Sequence, residues 1–357
     1  MISHYEKYCL MIRFFYIFRN KPGVIMFLRT LFYALIGFLL LPESPVSAQS
    51  HRALKSEVNS AASLTQSSIG TKCYPDYFVV NSIHCQQKSN GCVPQCRQLI
   101  HRYQQDRRYH PTDMNSLVAS LNPGIPVCIV VHGSFVKTKE FYSQSVNHYQ
   151  RILASANDRP LHFIAVHWPS DPGVLLTPIH QVRELGNRAE YNGIYLARLI
   201  TQIPPENPIC LVGHSHGCRV IASALHLLGG GAVQGVVVEN PYPQRRMRAV
   251  FGAGAVEQNW LNPGQRYGSA LNRVEFLLNI KNNRDTVLKL YTLTEPYRPH
   301  TIGQAGFRTQ DLVLINTQAG KIVEYDVTNL VGTGHMISHY ASHPQIRSTY
   351  LPYVYFD

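Results

Sequence analysis

"ICLVGHSHGCRVIASALHLLGGG", residues 209–231, is the stretch whose reading decides the fold. Its front end, "PICLVG" (208–213), is a short apolar run closed by glycine, the pattern of a strand buried on both faces. Beyond it, Gly217, Val220, Ile221, Ala224, Leu225 and Leu228 recur at the three-and-four spacing of one helix face. Gly229-Gly230-Gly231 then end the helix. Between strand and helix lies Gly213-His214-Ser215-His216-Gly217, a G-x-S-x-G. In that setting the serine sits on a sharp, strained turn with its hydroxyl at the top of the sheet, and small residues are needed where the helix closes back on the strand. A glycine turn without chemistry would not need this strand-turn-helix frame. His214 and His216 as metal ligands lack a carboxylate at ligand spacing.

The same alternation continues on both sides. "PVCIVV" (126–131), "LHFIAVHW" (161–168), "VQGVVVEN" (233–240), "VEFLLNI" (274–280) and "KIVEYDV" (321–327) read as strands, and "RAEYNGIYLARLI" (188–200) as an amphipathic helix. The expected fold class is α/β: a mostly parallel sheet with helices on both faces over 123–357. Residues 241–272 read as an insertion, either a lid whose Phe251, Trp260 and Tyr267 line a substrate entrance or a structural cap.

A serine hydroxyl is a poor nucleophile until a base takes its proton. In this kind of sheet the acid and the histidine follow the serine in the chain, at the carboxyl ends of later strands. "NIKNNRDTVL" places Asp285 in a polar loop after the strand 274–280, and "DVTNLVGTGHMISHY" places His335 in a glycine-rich loop after 321–327. Glu239, at the end of the run 233–240, is the alternative acid, and His339 the alternative base. His335, His339 and His343 are spaced i, i+4, i+8 and would share one face of a helix, a metal-ligand pattern again without a matching carboxylate. His132 is expected to pack or bond the backbone beside the loop that follows its strand.

"VVHGSF" (130–135), "GHSHG", "NNRDTVL" (282–288) and "GTGH" (332–335) together resemble the α/β-hydrolase superfamily over about 124–357. More narrowly, the chain looks like bacterial serine-hydrolase-like proteins of undefined activity. The resemblance implies a Ser215–His335–Asp285 triad. It also implies an oxyanion hole from the main-chain N–H of His216 and that of Ser134 or Phe135. "HGSF" departs from the HGGG of many lipases and esterases, so Phe135 is placed to limit acyl size.

Composition bounds the rest. With 45% apolar and 15% charged residues in 357, the chain has enough for a real core and is not broadly disordered. "MFLRTLFYALIGFLLLPESPVSA" from Met26 has one cation, an apolar run too short for the roughly 20 residues of a membrane span, and a small-residue site ending at Ala48. That is the layout of a secretory signal, with Met1 or Met26 as the start. Residues 1–48 thus read as leader and 49–122 as linker and cysteine-bearing N-terminal portion, with export to the periplasm or outside; an uncleaved membrane anchor is the alternative. Export permits disulfides among Cys73, Cys85, Cys92 and Cys96, in pairings that sequence leaves open, with zinc as the competing reading. Cys128, Cys210 and Cys218 read as small buried hydrophobes. The net charge of +12 suits contact with anionic envelope surfaces, and no nucleic-acid motif accompanies it.

The expected activity is that of an exported serine hydrolase acting on a small-molecule or lipid-like ester, with no cofactor and no metal. An acyltransferase on the same scaffold and a catalytically weak, hydrolase-like binding module of the envelope are the alternatives.

Overall fold

The computed structural model describes residues 76–88, 96–156, 159–171, 178–294 and 297–357. The leader, the linker, Cys73 and Cys92 lie outside them. Residues 73–357 form one compact unit.

The strands are β1 (Tyr77–Asn81), β2 (Leu99–Tyr103), β3 (Tyr109–Thr112), β4 (Val127–Val131), β5 (His162–His167), β6 (Ile209–His214), β7 (Met247–Gly252), β8 (Phe276–Lys281) and β9 (Ile322–Asp326). They make a single sheet in the order β3-β2-β1-β5-β4-β6-β7-β8-β9. β1 to β2 and β2 to β3 are antiparallel, and every other pairing is parallel. Residues 77–112, read from sequence as part of the cysteine-bearing N-terminal portion, supply three strands of the same sheet, with β1 lying parallel to β5. Cys85 and Cys96 are joined in a disulfide between β1 and β2.

Side chains alternate across the pleat, so each central strand feeds two cores. Ile129, Ile164, Leu211 and Ala249 pack on one face, with residues of α3 (Pro178–Gln202) and α4 (His216–Leu228). Cys128, Phe163, Cys210 and Val250 pack on the other, with α2 (Thr138–Ser155) and α10 (Pro344–Tyr355). The fold is thus α/β with a mostly parallel, doubly covered sheet. Both faces are dry, which is why β4 and β6 read as unbroken apolar runs and not as alternation. The shorter helices are α1 (Met114–Ala119), α5 (Thr286–Tyr291), α6 (Ile302–Ala305), α7 (Thr309–Ile315), α8 (Thr328–Val331) and α9 (Ile337–Ala341). Among the described residues no helix is long and apolar enough to cross a membrane.

One strand expectation fails. Residues 233–240 form no strand: Gln234 and Gly235 take positive φ, Val233 and Val236 close an isolated bridge, and Val237 is 64% exposed. The strand beside β6 is instead β7, at the front of the segment read as an insertion. Its one arginine, Arg248, disguised it. Arg248 is buried because its guanidinium reaches Glu275 and the carbonyls of Pro352 and Asp357. Phe251 and Tyr267 are accordingly core residues and line no entrance.

The chain runs from β4 outward to β5, then returns to place β6 on the other side of β4. A crevice forms at the carboxyl ends where the strand order reverses, and ligands of open α/β sheets bind there. The loops after β4 and β6 carry "HGSF" and Ser215.

Candidate active site

Ser215 joins β6 to α4 with φ 53° and ψ −124°, a left-handed backbone that a serine adopts only under restraint. The restraint is visible. The Ser215 N–H donates to the Gly252 carbonyl at 3.0 Å, and its own carbonyl accepts from Cys218 and Ala255, both at 3.1 Å. The flanking glycines are required by close approach. A Cβ at Gly217 would stand 2.3 Å from the Val131 carbonyl oxygen, and one at Gly213 would stand 2.9 Å from the Cys218 nitrogen.

His335 Nε2 lies 3.1 Å from Ser215 Oγ, and His335 Nδ1 lies 2.7 Å from Asp285 Oδ2. The three residues lie in the segments that follow β6, β8 and β9, which sheet order sets side by side. Asp285 was expected in a polar loop; it is 0% exposed. Burial is tolerated because both carboxylate oxygens have partners: Oδ2 has His335, and Oδ1 accepts the Leu288 N–H at 2.9 Å, capping α5. Glu239 is exposed and sits on no strand, since the strand that would have presented it does not form. His339 is exposed on α9, whereas His335 precedes that helix and His343 caps α10, so the three histidines share no helix face.

Three side chains that pattern reading missed hold the histidine loop. His214 Nε2 lies 2.7 Å from the His335 carbonyl oxygen. The Asn282 amide donates to the carbonyls of Gly332 at 2.9 Å and Gly334 at 3.1 Å. Thr286 Oγ1 donates to the Thr333 carbonyl at 3.3 Å. The polar character of "NNRDT" was the available signal, because a polar residue buried beside a carboxylate needs a partner.

Of the expected oxyanion donors, Phe135 drops out: its N–H donates to the Ser170 carbonyl at 2.8 Å. Its ring is 39% exposed, at odds with filling a pocket. Ser134 and His216 remain, and they touch: Ser134 Oγ is 2.6 Å from His216 Nδ1. As the first residue of α4, His216 has a main-chain N–H with no intrahelical acceptor. Its imidazole is pushed down to about 3, by burial first and then by the Arg219 guanidinium, so it is neutral. Burial likewise holds His214 and His132 down to about 3. His132 ties the ends of β4 and β5: its Nε2 accepts the Trp168 N–H at 3.2 Å, and its carbonyl accepts the indole N–H at 2.8 Å.

The arrangement can move a proton from a hydroxyl to a histidine held in one tautomer by a carboxylate. Among the described residues, the grouping with metal-ligand atoms close together is His84, Cys85 and Cys96, and its two sulfurs are bonded to each other.

No family model matches the chain, and no curated protein matches it. Solved structures similar to it include esterase B from Lactobacillus rhamnosis, at 12% identity and a TM-score of 0.36 over 85% of this chain and 90% of that one. A bifunctional GH43-CE protein from Bacteroides eggerthii is similar at 12% identity and a TM-score of 0.38, over 78% of this chain and 35% of that one. The catalytic core domain of acetyl xylan esterase from Trichoderma reesei is similar at 16% identity and a TM-score of 0.32, over 65% and 97%. Likenesses of this degree carry no argument about the chemistry of the site.

Proposed function

We propose that this protein is a serine hydrolase that cleaves carboxylic esters through an acyl-serine intermediate. The observation that carries the reading is the unbroken line from Asp285 through His335 to Ser215, at 2.7 and 3.1 Å, on a backbone strained at the serine. Strain of this kind persists where the surrounding structure over-determines it, and it gathers at reactive residues.

The proposed steps use this geometry. Ser215 Oγ attacks the ester carbonyl carbon while His335 Nε2 takes the hydroxyl proton. Asp285 keeps the proton on Nδ1 and stabilises the imidazolium. The carbonyl oxygen, now an anion, is held by the main-chain N–H groups of His216 and Ser134; loss of one such donor typically costs about 10²–10³ in rate. The intermediate collapses, the C–O bond to the alcohol breaks, and His335 returns its proton to the departing oxygen. Water then attacks the acyl-serine, gives a proton to His335, and the acid leaves as that proton goes back to Ser215.

Export belongs to the same proposal. It is supported by the signal-like layout ending at Ala48 and by the Cys85–Cys96 disulfide. N-terminal sequencing of the mature protein is expected to begin at Gln49. For the chemistry, a fluorophosphonate probe labels the wild type and leaves Ser215→Ala unlabelled; equal labelling of the two removes Ser215 as nucleophile.

A further inference from the structure

Ser134 Oγ stands 2.6 Å from His216 Nδ1, and these are the two residues whose main-chain N–H groups the proposed mechanism aims at the oxyanion. We propose that the His216 ring carries its proton on Nδ1 and donates it to Ser134 Oγ, which leaves the Ser134 hydroxyl to donate to the same oxyanion as a third, side-chain donor. The inference rests on the hydrolase reading of Ser215. It makes Ser134 a catalytic residue through its side chain and His216 a positioning residue through its ring.

The loop that carries Ser134 is packed on the elbow from two sides. A Cβ on Gly133 would stand 3.0 Å from Ser215 Cβ and 2.9 Å from His214 Nδ1. One on Gly217 would stand 2.6 Å from the His132 carbonyl oxygen. Residues 132–134 therefore run directly beside the nucleophile. The Ser134–His216 contact spans the gap between the two main-chain donors, so the hydroxyl borders the space that both N–H groups serve.

The direction of the contact follows from the other ring nitrogen. A hydroxyl can give or take a hydrogen bond, whereas a neutral imidazole has one N–H and one bare nitrogen. His216 is neutral, because burial first and the Arg219 guanidinium second hold it down to about 3. The ring is buried, and its Nε2 has no hydrogen-bond partner. A proton on Nε2 would leave the core with an N–H that meets no acceptor, the rarest kind of buried orphan. That N–H would also lie in the field of Arg219, one turn along the same face of α4, which repels a positive hydrogen and attracts a lone pair. With the proton on Nδ1 both costs fall. Ser134 Oγ then accepts from the ring, and its own hydrogen is committed to nothing among the described residues. An ester oxygen that gains charge during attack takes a stronger bond from this hydroxyl in the transition state than in the bound substrate, which is the condition for catalysis.

Two measurements test the proposal. The first reads the proton. In long-range ¹H–¹⁵N spectra of the whole protein, the ring signal that His216→Asn lacks is expected to carry its proton on Nδ1; a proton on Nε2 overturns the proposal whatever the kinetics. The second reads the donor. Ser134→Ala keeps the main-chain N–H and removes the hydroxyl, so kcat and kcat/KM for 4-nitrophenyl acetate are expected to fall together, about 100-fold. Ser134→Thr, which returns a hydroxyl, is expected to recover most of that loss. 4-Nitrophenyl thionoacetate separates a donor from a brace, because its sulfur accepts hydrogen bonds weakly. The ratio of kcat/KM for the oxygen ester to that for the thionoester is expected to be about tenfold lower in Ser134→Ala than in the wild type. Equal losses on the two substrates would make the hydroxyl a brace for its loop, and unchanged rates would leave it no role. Either result overturns the proposal and leaves the hydrolase reading standing. A wild type that neither hydrolyses esters nor takes the fluorophosphonate label removes the hydrolase reading, and this inference with it.

Discussion

His214 Nε2 lies 2.7 Å from the main-chain oxygen of His335, so the residue before the serine holds the loop that brings the imidazole to it. His214 is buried, and burial keeps its ring neutral, which leaves it one N–H to donate. In the proposed mechanism it is a positioning residue, acting through His335. His214→Phe keeps the ring and removes the donor; kcat is expected to fall about 10–100-fold with KM nearly unchanged, since misplacement of about 1 Å costs rates of that order. His214→Gln, which restores an N–H, is expected to recover part of the loss. Steady-state kinetics on one ester separates this from a packing role, in which thermal stability would fall and kcat would hold.

Asp285 and Glu239 make opposite predictions. Asp285→Asn keeps shape but offers His335 Nδ1 the wrong partner, so kcat is expected to drop by about 10⁴. Glu239→Gln is expected to leave kcat at the wild-type level, because the exposed Glu239 stands on no strand of the sheet. The same ester assay on both variants checks the assignment.

Gly217→Ala tests the elbow as architecture. The added methyl would sit 2.3 Å from the Val131 carbonyl oxygen and 2.6 Å from that of His132, both main-chain atoms of the neighbouring strand end. Neither can move without shifting β4, so a destabilisation of about 3 kcal/mol, the upper end for overpacking, is expected in urea unfolding.

Stability should depend on pH through buried histidines. Burial holds His132, His214 and His216 down to about 3, and His148 and His167 down to about 4, against an ordinary 6.5. Below 6.5 the unfolded chain binds protons that the folded chain refuses, so stability is fully present above that value and is lost as pH falls toward 3–4. Each histidine contributes a slope of up to about 1.4 kcal/mol per pH unit in that window. Urea midpoints at pH 7.5, 6.0 and 5.0 are expected to fall steadily; a flat profile would mean that these rings take up protons in the folded state.

Much of the fold was legible because buried parallel strands leave unbroken apolar runs: β4 and β5 lie inside the runs that announced them, and β6 passes the end of its run by one residue, His214. β7 was not. Arg248 gave it the look of a surface segment, and what buries that charge is Glu275 together with the carbonyls of Pro352 and Asp357, about a hundred residues away. The opposite error arose at 233–240, where β-branched residues surround a turn that the Gln234-Gly235 backbone imposes. The disulfide pairing of Cys85 with Cys96 was likewise one of several that spacing allowed.

The amino-acid sequence by itself determined the elbow at Ser215, since strand period, helix period and glycine spacing are all local and leave a serine no other setting. It also named Asp285 and His335 as residues to watch. Only the tertiary structure decided that these two, and not Glu239 and His339, stand in line with Ser215 Oγ. It also decided that His214 and Asn282 brace the histidine loop and that the Phe135 amide is committed to Ser170. The reason is physical: a hydrogen bond between residues 120 positions apart depends on strand order and on which polar groups the core leaves without water, and neither is written in any short window of the chain.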